Sequence, residues 1–80
     1  MIYQFDCNGK MIASHKSARA AAEWIQKCTP YDVANNIYTW GIEGAALCIA
    51  QCCKSNDTLQ ALRWVCYGYY WSSYSFMSEL

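Results

Sequence analysis

The chain opens with two short runs, Ile2 to Asp6 and Lys10 to Ser14, separated by a turn that holds Asn8-Gly9. Asn-Gly between such runs is a strong β-hairpin signal, because both residues tolerate the positive φ of a tight turn. The spacing then changes. Ala18, Ala21, Ala22, Ile25 and Cys28 recur at helical intervals and predict a helix from Ala18 to about Lys27. Ser17 stands where an N-cap is wanted, its hydroxyl placed to accept from an orphan amide. Two alanines on the stripe let this helix lie close to the sheet.

Thr29-Pro30 interrupts the pattern and marks a second helix start, with Thr29 as cap and Pro30 in the first turn. Val33, Ala34, Ile37 and Tyr38 would share its buried face, and Gly41 ends it. A stronger helix is expected from about Glu43 to Lys54. Its apolar side is Ala45, Leu47, Cys48, Ile49, Cys52 and Cys53, and Ser55-Asn56-Asp57 reads as its stop. Thr58 to Leu62 reads as a helical turn or a run-in to the last element. Arg63 to Tyr74, dense in Trp, Tyr and Val, has the composition of a strand on a half-buried sheet. Gly68 within it marks a bulge or tight bend, and the tail from Ser75 to Leu80 is expected to fray. The order is ββ-α-(α)-α-β. It predicts an α+β fold: a small antiparallel sheet, made of the N-terminal hairpin and the C-terminal aromatic strand, packed against two or three helices.

Composition narrows the function classes. At 80 residues the chain is expected to be a single domain, residues 1–80, and 55% hydrophobic residues give it enough apolar surface for a core and a contact face. Six Lys and Arg offset six Asp and Glu, so the net charge is zero. That counts against a simple DNA-coating role, which needs a basic excess, and it invites self-association as a homodimer. The start at Met1-Ile2-Tyr3 lacks the basic and apolar regions of a signal peptide. No apolar run is long enough to span a membrane. The expectation is a cytoplasmic protein whose cysteines, Cys7, Cys28, Cys48, Cys52, Cys53 and Cys66, are reduced and mostly buried.

Candidate chemistry is sparse, and neither a catalytic residue nor a cofactor is assigned. His15 is the one histidine and reads as a surface residue ending a strand; nothing nearby picks out a cysteine to pair with it. Cys48 and Cys52 share a helix face, and Cys53 adjoins them, yet no C-x-x-C knuckle exists, so helix packing is the expected role and no metal is expected. Lys10, His15, Lys16, Ser17 and Arg19 gather around the return strand and the first helix start. Free amides beside cations there would suit a phosphate. Along the aromatic stretch, Tyr69 and Trp71 either present themselves to a partner, as favoured hot-spot residues, or cover the sheet.

Two blocks carry a family resemblance. Tyr3-Gln-Phe-Asp-Cys-Asn-Gly-Lys-Met-Ile, followed by Ser17-Ala-Arg-Ala-Ala-Ala, resembles the start of the DNA-binding repeat of intron-encoded (homing) nucleases, a NUMOD-type module. Ile49-Ala-Gln-Cys-Cys-Lys and Tyr67-Gly-Tyr-Tyr-Trp-Ser-Ser-Tyr resemble that repeat's second helix and closing aromatic strand. The resemblance implies a phage or mobile-element module, non-enzymatic in itself, that binds double-stranded DNA. Lys10, Lys16, Ser17 and Arg19 would then lie near the DNA backbone, with Lys54 at the end of the second helix and Arg63 before the aromatic strand. Three departures stand against a plain copy. These residues contain no nuclease domain, the stretch from about Cys28 to Ala46 replaces a short turn, and the chain is neutral. Direct DNA binding is therefore set beside an alternative, an anti-CRISPR-like inhibitor that contacts a host defence nuclease as a protein.

Overall fold

The computed structural model describes the backbone of residues 1–28 and 31–75, and the side chains of residues 1–27 and 41–75. Its elements are β1 (Ile2–Phe5), β2 (Met11–His15), α1 (Ala18–Cys28), α2 (Tyr31–Leu59), β3 (Val65–Cys66) and β4 (Tyr69–Ser72). The strands form one antiparallel sheet in the order β2-β1-β4-β3, so β1 and β4 are central and β2 and β3 are edges. The fold is α+β, as the sequence pattern predicts, with a fourth strand added. Residues 63–74 make a hairpin where one strand was expected.

Both hairpin turns explain themselves locally. In the first, Asp6 organises the loop: its Oδ1 accepts from the amides of Asn8 and Lys10, each at 2.9 Å, and its carbonyl accepts from Gly9 N at 3.0 Å. Gly9 alone has a positive φ, 82°, so the loop is a turn followed by one left-handed glycine rather than a two-residue Asn-Gly turn. In the second, Tyr67 (φ 56°) and Gly68 (φ 83°) are both left-handed, and Cys66 pairs with Tyr69 across them. Two consecutive positive φ values give a two-residue turn whose twist suits the flanking strands. Gly68 is therefore the tight bend that the sequence suggested.

Ser17 caps α1, its Oγ accepting from Ala20 N at 3.1 Å. The predicted stripe turns inward: Ala21, Ala22 and Ile25 are fully buried against Ala45, Ile49, Cys52 and Cys53 of α2 and Trp71 of β4. Fully burying an Ile such as Ile25 or Ile49 is worth about 2 kcal/mol. The alanines bring α1 close to α2 more than to the sheet. Gly41 (φ 82°, ψ 165°) breaks α2 into two arms, in a backbone region essentially open to glycine alone. The expected boundary at Gly41 thus appears as a kink. The cap at Thr29-Pro30 and the tail beyond Ser75 lie outside the described residues, as do the side chains of Cys28, Val33, Ala34, Ile37 and Tyr38.

The second arm does not stop at Ser55-Asn56-Asp57 but runs on to Leu59. Asn56 is fully buried, and its side chain is satisfied by other elements. Its Nδ2 donates to the carbonyls of Trp71 (2.8 Å) and Trp64 (3.1 Å), while its Oδ1 accepts from the amides of Trp64 (2.8 Å) and Arg63 (3.0 Å). Asp57 accepts from the hydroxyls of Ser72 and Ser73. Such residues favour turns because their side chains compete for local backbone groups; here tertiary partners occupy both side chains. The helix instead closes at Gln60 (φ 55°), with Ala61 N donating to Asn56 O and Gln60 N to Asp57 O, both at 3.2 Å. This is a Schellman closure with glutamine in the place usually held by glycine.

Candidate functional site

One face of α2 carries Leu47, Cys48, Gln51, Cys52 and Ser55 at helical spacing, and the chain returns beside it through Trp64, Val65 and Cys66. Together they line an open cleft of about 510 Å³. A second depression continues along the helix past Lys54, Thr58 and Leu59 and shares Gln51, Ser55 and Trp64 with the first. Leu47, Trp64 and Val65 are 69%, 58% and 56% exposed, and Leu59 is 51% exposed. Contiguous apolar exposure of this kind marks contact surfaces more than single exposed residues do.

Trp64 is held unusually well for an exposed residue. Its amide donates to Asn56 Oδ1, and its carbonyl accepts from Asn56 Nδ2 and from the Cys52 thiol (2.9 Å). The backbone is pinned to α2 while more than half of the residue faces solvent. The entropy of placing it is already spent by folding, which favours binding through its indole. The thiols beneath are quiet. Burial pushes the Cys52 thiol up to about 11, and burial with neighbouring thiols pushes Cys66 up to about 12. Cys53 is likewise pushed up to about 12, by burial and then by Asp57. Thiols this reluctant to ionise stay protonated at neutral pH, as suits side chains packed between α2 and the sheet. Cys7 and Cys48 are exposed, against the expectation of mostly buried cysteines. Among the described residues no group of three or more His, Cys, Asp or Glu is arranged to hold a metal ion, and no helix is long and apolar enough to cross a membrane.

The aromatic contact residues read from the sequence need correcting. Trp71 is fully buried in the core and cannot meet a partner, and Tyr69 is half-buried, edge-on to Trp24 and Trp71 at 6.1 and 6.2 Å. The bend at Gly68 is a two-residue turn that splits the expected single strand. A two-residue turn pairs Cys66 with Tyr69, so side-chain parity reverses relative to one unbroken strand. Tyr69 and Trp71 share one face of β4, which turns inward; the turn sets Val65 on the opposite face from them, and Trp64, which precedes β3 and is outside the strand alternation, is exposed beside it. An exposed tryptophan just before a strand was the available signal, and only the placement of the turn makes it readable.

The proposed DNA-contacting residues fall into separate groups. Lys16, Ser17 and Arg19 lie together at the start of α1. Ser17 Oγ is spent on its cap, and Arg19 faces Glu23 (3.6 Å) and Glu43 (3.7 Å). Lys10 sits at the other end of β2, roughly 20 Å away by strand rise. That end also holds Arg63, which lines a depression with Cys7, Asn8 and Gly9. Lys54 borders the α2 cleft beside Trp64. Lys10 is thus not part of the expected cluster, and neither is His15. Its imidazole is buried between Trp24 and Trp71, at 5.9 and 6.0 Å, with Nε2 3.0 Å from Gln4 Oε1. Burial lowers its pKa, keeping it neutral where a surface histidine would begin to charge.

Comparison with protein-family models, curated proteins and solved structures gives no match. The resemblance to the homing-nuclease repeat therefore rests on the quoted motifs alone.

Proposed function

We propose that this chain is a non-enzymatic protein-binding module whose contact face is the cleft between α2 and β3. The observation that carries this reading is Trp64, exposed at its ring and fastened at its backbone beside Leu47 and Val65. Interface hot spots are enriched in tryptophan set in an apolar surround. An inhibitor that acts on a host defence nuclease by protein contact is the specific form suggested by the chain's departures from the homing-nuclease repeat, its zero net charge and the stretch from about Cys28 to Ala46. The test is capture from nuclease-treated host lysate by the full chain and by Trp64→Ala. A partner protein should be held by the first and lost at least about tenfold with the second. Equal retention by both, or recovery of nucleic acid alone from untreated lysate, overturns the reading.

Direct DNA binding is the second reading, and one observation favours it: Lys16 stands exposed at the N-terminus of α1, whose free amides attract phosphate. It has less support because Ser17 and Arg19 are engaged within the chain and Lys10 lies apart. A low-salt mobility shift that falls steeply with added salt and weakens in Lys16→Ala would favour it over the protein-binding proposal.

A further inference from the structure

We infer that Cys48 and Cys66 form an oxidant-responsive disulfide across the α2–β3 cleft, a modification site for hydroperoxides that stands whatever partner the cleft takes. Three thiols, those of Cys48, Cys52 and Cys66, line this one cleft. They differ in access: Cys48 is exposed, Cys66 half-buried and Cys52 buried.

Hydrogen bonds set the register between the helix and the returning chain. Asn56 Oδ1 accepts from the amides of Arg63 and Trp64, and one helical turn earlier the Cys52 thiol donates to the Trp64 carbonyl at 2.9 Å. Going back along α2 therefore goes forward along the chain toward β3. The next turn back is Cys48, about 6 Å of helix rise from Cys52. Two residues past Trp64 is Cys66, about 7 Å of extended chain away. The two steps match, which sets Cys48 opposite Cys66. Cys66 pairs with Tyr69, so its side chain lies on the sheet face that turns toward the core and α2.

Hydrogen peroxide transfers one oxygen to the exposed Cys48 sulfur, giving a sulfenic acid and releasing water. The Cys66 sulfur then attacks the Cys48 sulfur, the S–O bond breaks, and the hydroxyl leaves with the Cys66 proton as a second water. Two thiols are oxidised and the peroxide is reduced. Burial and then neighbouring thiols push Cys66 up to about 12, so its attack is the slower step and the sulfenic acid forms first. Cys52 is the poorer resolving group, because it is buried and its thiol hydrogen is engaged by Trp64. Cys7, also exposed, lines a separate depression with no second cysteine among the described residues.

The test is treatment of the reduced full-length protein with hydrogen peroxide, then digestion without reductant and fragmentation of the linked peptides by mass spectrometry. A Cys48–Cys66 link is expected as the main disulfide. Dimedone should trap a sulfenic acid on Cys48, and more of it in Cys66→Ser. The oxidised chain should unfold at a higher urea concentration than the reduced one, because the bridge restricts the unfolded chain. That shift should vanish in Cys48→Ser and in Cys66→Ser and persist in Cys7→Ser, with circular dichroism of each reduced variant separating a lost thiol from a lost fold. Oxidation of Cys48 that leaves Cys66 a free thiol, a link from Cys48 to any other cysteine, or a link only between chains overturns the proposal.

Discussion

At the scale of single residues, the fold turns on Asn56 and His15. Asn56 links α2 to the approach to β3 and to β4 through four backbone groups. Its removal takes the side-chain partner from the part-buried amides of Arg63 and Trp64 and from the carbonyl of Trp71, at about 1–3 kcal/mol for each group left unpaired. Asn56→Ala should therefore destabilise the chain by about 3 kcal/mol or more, measured by urea unfolding, and should loosen the Trp64 segment with it. His15 sets a pH dependence. Its folded pKa lies below the unfolded value of about 6.5. Between those values the unfolded chain holds the extra proton, so stability is lost as pH falls below about 6.5 and is unaffected above it. Thermal midpoints from pH 7.5 to pH 5 should show that fall, and His15→Gln should flatten it. The sequence shows that His15 ends a strand; it does not show that Trp24 and Trp71 close over it, because those contacts join distant segments.

At the scale of elements, what was legible was local. The first hairpin and α1 follow from Asn8-Gly9, the Ser17 cap and the Ala21-Ala22-Ile25 stripe, all signals contained in a few residues. The end of α2 was not legible, and the last turn was legible only as a bend at Gly68, because unusual residues occupy the other left-handed positions. Gln60 stands where a helix usually ends in glycine, and Tyr67 where such a turn prefers asparagine. Both choices leave stability to be gained. Gln60→Gly and Tyr67→Asn should each raise stability by about 0.5–1 kcal/mol, since the replacements suit positive φ. Tyr67 also packs partly against the core, so its gain should be the smaller. Gly41→Ala should cost stability, because alanine cannot relax into the kink.

At the scale of the whole molecule, the parity reversal at Tyr67-Gly68 decides the functional face. It sets Val65 on the face opposite Tyr69 and Trp71, which point toward the core, while Trp64, just before β3, lies beside the exposed side of α2. The candidate site was therefore half legible: its residue types were visible in the aromatic stretch and Gly68 marked a bend, but which of them face outward follows from pairings and packing between distant segments. Stability and binding should separate here. Trp64→Ala should shift the unfolding midpoint little, because its anchoring bonds are to the backbone, while removing most partner affinity.

Hydroxyl-radical footprinting of the full chain with its captured partner measures the contact face directly. The account predicts that oxidation of Trp64, Leu47 and Leu59 drops on binding while that of Met11 and Ile12, exposed on the opposite edge strand, stays unchanged. Protection at Met11 and Ile12 with Trp64 still fully reactive would contradict it.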